Sequence, residues 1–189
     1  ALLHQKMPGS QDEILFSRIS ETSKQIAAMI RFTKEYEMIG INAPVWQDLK
    51  DLVDNAEKSA SPGEVTITND LPAGMEVFAD PLILKVFFNL LDNSVRHGMR
   101  VTEIRVSCHE SGETLVVVWE DNGIGIAGDE KQLIFERGFG KNTGLGMFLS
   151  REILSLTGIT ITETGVAGAG ARFEMVVPKG AWRRKNGAA

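Results

Sequence analysis

The chain has 189 residues with a formal net charge of −5 and an isoelectric point near 5.3, enough length for one compact domain with an appendage and a balance that argues against a nucleic-acid surface. Its single cysteine, Cys108, permits neither a disulfide framework nor a cysteine-based metal site. No apolar stretch approaches the roughly 20 residues that span a bilayer, and no signal-peptide pattern opens the chain, so a cytoplasmic setting without a membrane segment is expected, with a parent protein free to be membrane-attached.

Met7-Pro8-Gly9 breaks a first segment that reads as the tail of a helix, and Ser10-Gln11-Asp12-Glu13 then has the form of a capping box. In such a box the Ser hydroxyl and the Glu carboxylate satisfy helix-start amides reciprocally, so a helix is expected to begin there. Leu15, Ile19, Thr22, Ile26, Met29, Thr33 and Tyr36 recur at spacings of four and three, one stripe of a long helix ending near Gly40. Such a stripe asks for a partner, in a helical hairpin or a homodimeric bundle, and residues 1–40 are read as a unit of their own.

From Pro44 a helical stretch is expected through about residue 59, with Trp46, Leu49 and Val53 on one side and Pro62-Gly63 as the stop. Residues 65–68 and 75–78 read as strands around Pro72-Ala73-Gly74, and Asp80-Pro81 opens a helix reaching Gly98. Alternation at Ile104/Val106/Cys108, Leu115/Val117/Trp119 and Phe173/Met175/Val177 gives strands with one face in a core, the first two joined at Gly112. A last helix is expected over residues 145–157, stopped by Gly158, and Arg183-Arg184-Lys185 reads as a solvated run in a tail over 181–189. The fold class expected is α+β: a two-layer α/β sandwich over 41–180, helices covering one face of a mixed sheet.

Chemistry concentrates in three places. On the helix from Pro81, Asn89, Asn93, Arg96 and His97 share a polar stripe opposite Ile83, Phe87, Leu90 and Leu91. Asn is a poor helix former, costing a few tenths of a kcal/mol at each mid-helix position unless it binds something, and its carbonyl oxygen is a suitable hard ligand for Mg²⁺. Asp121-Asn122-Gly123-Ile124-Gly125 follows a strand; it is an ordinary turn or, with the Asp121 carboxylate accepting from an exocyclic amine, a base-binding site. Gly144-Leu145-Gly146 sits where a helix begins, and free N-terminal amides there form an anion site. Between the two glycine motifs, Phe135 and Phe139 either anchor a Gly-rich loop to the core or belong to a lid that carries Arg137 and Lys141 to a phosphate.

In this order the motifs resemble the N box, first glycine box, F box and second glycine box of the ATP-binding catalytic domain of sensor histidine kinases, within the superfamily shared with Hsp90, DNA gyrase B and MutL. The resemblance covers roughly residues 41–180 and implies a Bergerat-type ATP-binding fold with ATP and Mg²⁺ as cofactors. It implies that Asn93 is the Mg²⁺ ligand with Asn89 supporting the phosphates. Asp121 would bind the adenine amino group in a pocket shaped by Gly123, Gly125 and Ile126, with His97 on the adenine or ribose. Arg96 and Lys141 would meet phosphates beside Phe135 and Phe139, and Gly144, Leu145 and Gly146 would cradle them. Superfamily members that hydrolyse ATP usually carry Glu four residues before the metal-binding Asn; this chain has Asn89 there, and an amide cannot act as that base. The resemblance therefore implies donation of the γ-phosphoryl group to a histidine supplied elsewhere, with a response regulator receiver domain downstream. The long helix is similar to the second helix of the dimerisation hairpin. The chain departs from the family at His4, which is followed by Gln5 with Pro8 only four positions on, so the phosphoacceptor is expected to lie on a helix missing from this chain. The alternative is a nucleotide-sensing, degenerate kinase module that docks a response regulator.

Overall fold

The computed structural model describes residues 11–60, 65–140 and 144–185. Ser10 of the expected capping box, the break at Met7-Pro8-Gly9, His4, the Pro62-Gly63 stop and Lys141 lie outside these residues. Helix α1 (Gln11–Met38) runs 28 residues, and the chain turns at Gly40, whose amide donates to Asp80 Oδ2 at 3.0 Å. That bond fastens the end of the long helix to the turn at Asp80.

Strand β1 (Val45–Asp48) replaces the first part of the helix expected from Pro44. The helix α2 (Leu49–Ala60) starts later because Asp48 supplies its cap: Asp48 Oδ1 accepts from the amides of Lys50 at 2.8 Å and Asp51 at 3.2 Å. Trp46 thus belongs to a strand, where it packs on Phe78 with ring centroids 5.3 Å apart. Strands β2 (Thr66–Asn69) and β3 (Met75–Ala79) lead to α3 (Ile83–His97). The helix expected from Pro81 with Asp80 as its N-cap starts two residues later, at Ile83, because Asp80 closes a turn before it instead, Oδ1 accepting from Leu82 N at 2.8 Å. Then come β4 (Glu103–Ser111), β5 (Thr114–Asp121), a short 3-10 turn (Leu133–Phe135), α4 (Gly146–Ser155), β6 (Thr160–Glu163), β7 (Arg172–Val177) and β8 (Trp182–Arg184).

Two sheets form where one was expected. The larger has the order β2-β4-β5-β7-β6, antiparallel except for the β2-β4 pair, and places Trp119 opposite both Val106 and Phe173. The smaller, antiparallel throughout, has the order β1-β3-β8. Residues expected on the inward face of the large sheet, including Ile104, Val106, Leu115, Val117, Trp119, Phe173, Met175 and Val177, are buried with Phe87, Leu90 and Leu91 of α3 and Leu149 and Ile153 of α4 in one core. Burial of each such side chain stabilises the fold by about 1.5–3 kcal/mol.

The basic run is exposed, as expected, but most of it belongs to strand β8 rather than to a free tail. Arg183 pairs with Glu76 at 2.6 Å and lies over the Trp46 ring at 4.1 Å, and Arg184 pairs with Glu110 at 2.8 Å. These partners come from β3 and β4, far away in sequence, and so β8 adds the third strand of the small sheet. Along α1 the expected apolar stripe is largely uncovered: Leu15, Ile19, Ile26 and Met29 are each more than half exposed. Among the described residues, its C-terminal part packs on α3 and α4. Phe32 and Tyr36 meet Phe148 of α4 with centroids 6.3 and 6.2 Å apart, and Glu35 pairs with Lys85 of α3 at 2.8 Å.

Candidate functional site

A cavity of about 560 Å³ opens between α3, α4, the end of β5 and the loop that joins them. The stripe on α3 faces it: Asn89, Asn93, Arg96 and His97 all line its wall. The amphipathic helix dictates this, since its apolar residues Phe87, Leu90 and Leu91 are committed to the core on the other side.

At one end Asp121, the last residue of β5, is buried at 9% exposure. Its Oδ1 accepts from the amides of Gly123 at 3.0 Å and Ala171 at 3.1 Å; its Oδ2 accepts from the Ser94 hydroxyl at 2.7 Å. Trp119 Nε1 in turn donates to Ser94 Oγ at 3.2 Å, which fixes the hydroxyl so that its proton points at the carboxylate. Asp121 lines the cavity, and its Oδ2, with one protein donor, keeps capacity to accept a further hydrogen bond.

The glycines at this end meet close backbone approach. A Cβ on Gly123 would lie 2.7 Å from the Gly98 carbonyl, and one on Gly125 would lie 2.8 Å from the Gly170 carbonyl. Gly170, at φ 124°, is pressed tightest, with 1.9 Å between such a carbon and the Asp121 carbonyl oxygen. Only glycine fits there, because both the space and the φ exclude a side chain.

The other end is more open. Asn93 is half-buried, and its carboxamide makes no hydrogen bond among the described residues. Asn89 is committed: its Nδ2 donates to the Gly146 carbonyl at 2.9 Å and to Ser150 Oγ at 3.1 Å, tying α3 to the first turn of α4. The first intrahelical bond of α4 runs from Leu149 N to the Leu145 carbonyl at 2.9 Å, so the amides of Gly146, Met147 and Phe148 have no partner inside the helix. Arg96 is held by its Nε to Asp92 one turn back and is well exposed, with its two terminal nitrogens unpaired by any protein group among the described residues.

Of the remaining expected site residues, Gly125, Ile126, Phe139, Gly144, Leu145 and Gly146 line the cavity. Gly123 and Phe135 do not. Gly123 supports the turn from behind, and Phe135 is buried edge-on against Phe173 with centroids 6.4 Å apart. The structure adds contributors for which no role was expected: Ser94, which ends the N-box run on α3, Ala171 and Gly170 from the hairpin between β6 and β7, and Ala28, Arg31, Phe32 and Glu35 from α1. Ser94 sits one residue after Asn93, where a small polar residue in a helix gives no signal of its own.

The family model of histidine kinase-, DNA gyrase B-, and HSP90-like ATPases matches residues 79–181, more than half of the chain. Sensor-like histidine kinase SenX3 of Mycolicibacterium smegmatis is 26% identical over 141 residues, 69% of this chain and 37% of SenX3. Sensor protein KdpD of Escherichia coli is 32% identical over 145 residues, 71% of this chain and 16% of KdpD. The chain thus spans well under half the length of these curated relatives. Among solved structures, the ATP binding domain of PrrB from Mycobacterium tuberculosis superposes with a TM-score of 0.60 at 27% identity, over 73% of this chain and 98% of that domain. Since the matched span runs from the turn before α3 through both glycine motifs to the start of β8, the chain belongs to the histidine kinase-, DNA gyrase B-, and HSP90-like ATPase family and has the α+β fold of histidine kinase catalytic domains.

Proposed function

We propose that this chain is the ATP-binding catalytic portion of a two-component sensor histidine kinase, which holds ATP with Mg²⁺ and donates the γ-phosphoryl group to a histidine outside the chain. The observation that carries the reading is the Asp121 carboxylate: buried in the cavity wall, clamped by two backbone amides and the Ser94 hydroxyl, and left with acceptor capacity on Oδ2, which has one protein donor. It is built to accept a hydrogen bond from the adenine amino group. At the other end the free amides opening α4 and the terminal nitrogens of Arg96 suit phosphate oxygens.

The fit of Asn93 to Mg²⁺ rests on its unbonded carboxamide beside that anion site. No group of three or more His, Cys, Asp or Glu able to hold a metal lies among the described residues, so a bound ion would take most of its oxygens from nucleotide and water, as Mg²⁺ commonly does. When bound, the ion would neutralise charge on the phosphates. This chain's own residues would position the nucleotide and set donors and positive charge against its phosphates, and positioning with charge stabilisation is the main catalytic work in phosphoryl transfer.

Asn89 stands where a hydrolytic member would carry a base, and both of its amide hydrogen bonds are used to brace α4. Hydrolysis is therefore disfavoured and an external acceptor is required. None of the described histidines lies on α1: His97 lines the cavity and His109 lies on β4. A receiver domain of a response regulator is the downstream partner, α1 belongs to a dimerisation hairpin, and the cytoplasm is the working compartment.

Calorimetric titration with Mg²⁺-ATP tests the reading. The native chain should bind and Asp121→Ala should lose most of the affinity; a folded native chain without ATP binding overturns it. Transfer of label from γ-labelled ATP to an added phosphoacceptor helix, with little phosphate released to water, tests the choice between kinase and ATPase.

A further inference from the structure

Glu163 closes β6 with a side chain that is fully buried. Its Oε1 accepts from two amides on opposite arms of the β6–β7 hairpin, Gly165 at 3.0 Å and Arg172 at 3.1 Å. Its Oε2 is buried as well, takes no aligned hydrogen bond, and faces the Lys131 ammonium at 2.7 Å. Lys131 directs its own hydrogen bond to the Gly165 carbonyl. A carboxylate out of water with one counter-charge depends on that charge for its position.

We propose that Lys131 is a positioning residue for the cavity, acting through its buried ion pair with Glu163 to lock the hairpin neck against the start of the loop after β5. The two sides of this lock both reach the site. On the hairpin side, Gly168 N donates to the Ile124 carbonyl at 2.7 Å, Ala171 N donates to Asp121 Oδ1, and Gly170 packs on the Asp121 backbone. On the loop side, Lys131 lies within the turn closed by Ile134 N donating to the Glu130 carbonyl at 2.9 Å, and Glu130 and Ile134 line the cavity. The pair thus sets both the carboxylate expected to read the base and the wall opposite it. Its effect on affinity rests on the nucleotide reading; its effect on the hairpin does not.

The test is amide hydrogen exchange on the ligand-free chain, followed by ATP titration, for native protein, Lys131→Met and Lys131→Arg. Lys131→Met should raise exchange at Gly168 and Ala171 by about tenfold or more while Phe78, whose amide bonds Ala181 in the small sheet, keeps its native rate. Lys131→Arg, which keeps the charge, should stay within about threefold of native, and ATP affinity should fall in the Met variant alone, by about fivefold or more. Native exchange at Gly168 and Ala171 in folded Lys131→Met overturns the proposal, as does an equal rise at Phe78, which would make the pair a general brace. Should Lys131→Met not fold, Glu163→Gln carries the same test with the same two outcomes. If the native chain binds no ATP the nucleotide reading falls, and the exchange result still decides the role of the lock.

Discussion

The two ends of the cavity are built differently. At the Asp121 end the carboxylate is already held by three protein donors, and Gly123, Gly125 and Gly170 sit at contacts that admit no side chain. At the α4 end Asn93 and the first amides of the helix have no protein partner among the described residues. The first end needs no rearrangement to bind, and the second is completed by what it binds. Under the proposed function, a preorganised end would give selectivity for the base at little ordering cost, while an end of unpaired donors and acceptors would make affinity depend on phosphate and its counter-ion.

The sharpest way to break this contrast is at Gly170. Gly170→Ala forces a carbon against the Asp121 carbonyl at a φ that side chains avoid, and should cost about 3 kcal/mol or more of stability, read as a lowered midpoint in urea unfolding. Asp121→Ala leaves the Gly123 and Ala171 amides without their acceptor and removes the base contact; ATP affinity should drop by about 2–3 kcal/mol, with loss of preference for ATP over GTP in competition titrations. Asn93→Ala should leave thermal stability close to native, since its carboxamide bonds nothing in the protein, and weaken ATP binding by about 1–2 kcal/mol only when Mg²⁺ is present. The smallest effect on folding is expected at Gly146, where an added Cβ would meet Asn89 Cγ at an ordinary 3.5 Å. Gly146→Ala should change stability by no more than about 1 kcal/mol, in the stabilising direction because Ala is the better helix former, so any fall in ATP affinity measures how closely the phosphates approach. Equal losses of stability for Asn93→Ala and Asp121→Ala would erase the distinction between the ends.

Much of the site was legible because its residue types are expensive elsewhere. Two mid-helix Asn residues and paired glycines after a strand and before a helix each mark a local backbone or ligand requirement, and the structure gathers Asn89, Asn93, Asp121, Gly125, Gly144 and Gly146 around one cavity. The alternating strands and the apolar side of α3 were legible for the same local reason. What stayed hidden depends on partners distant in sequence. The strand and ion pairs of Arg183 and Arg184, exposed as expected, were hidden because Glu76 and Glu110 are far away, and the Ser94 hydroxyl acquires a role only when β5 brings Asp121 and Trp119 to it. Strand β1 was missed because Trp46, Leu49 and Val53 fit a helical spacing that Asp48 interrupts by capping one turn later. For Phe135 the sequence leaves a core anchor and a nucleotide lid both open, and the anchor is what its ring forms, edge-on against Phe173.

The small sheet has a consequence for how the polypeptide comes to be folded. Its central strand, β3, is flanked on one side by β1, less than 40 positions earlier, and on the other by β8, with 107 positions separating Glu76 from Arg183. During synthesis β3 therefore waits with one edge unpaired until almost all of the catalytic domain has left the ribosome, and closing so long a loop comes late and slowly. A ribosome stalled or a protease acting around Lys179 would leave the ATP cavity's residues intact but strip that edge bare, turning a finished domain into a template for pairing with other chains.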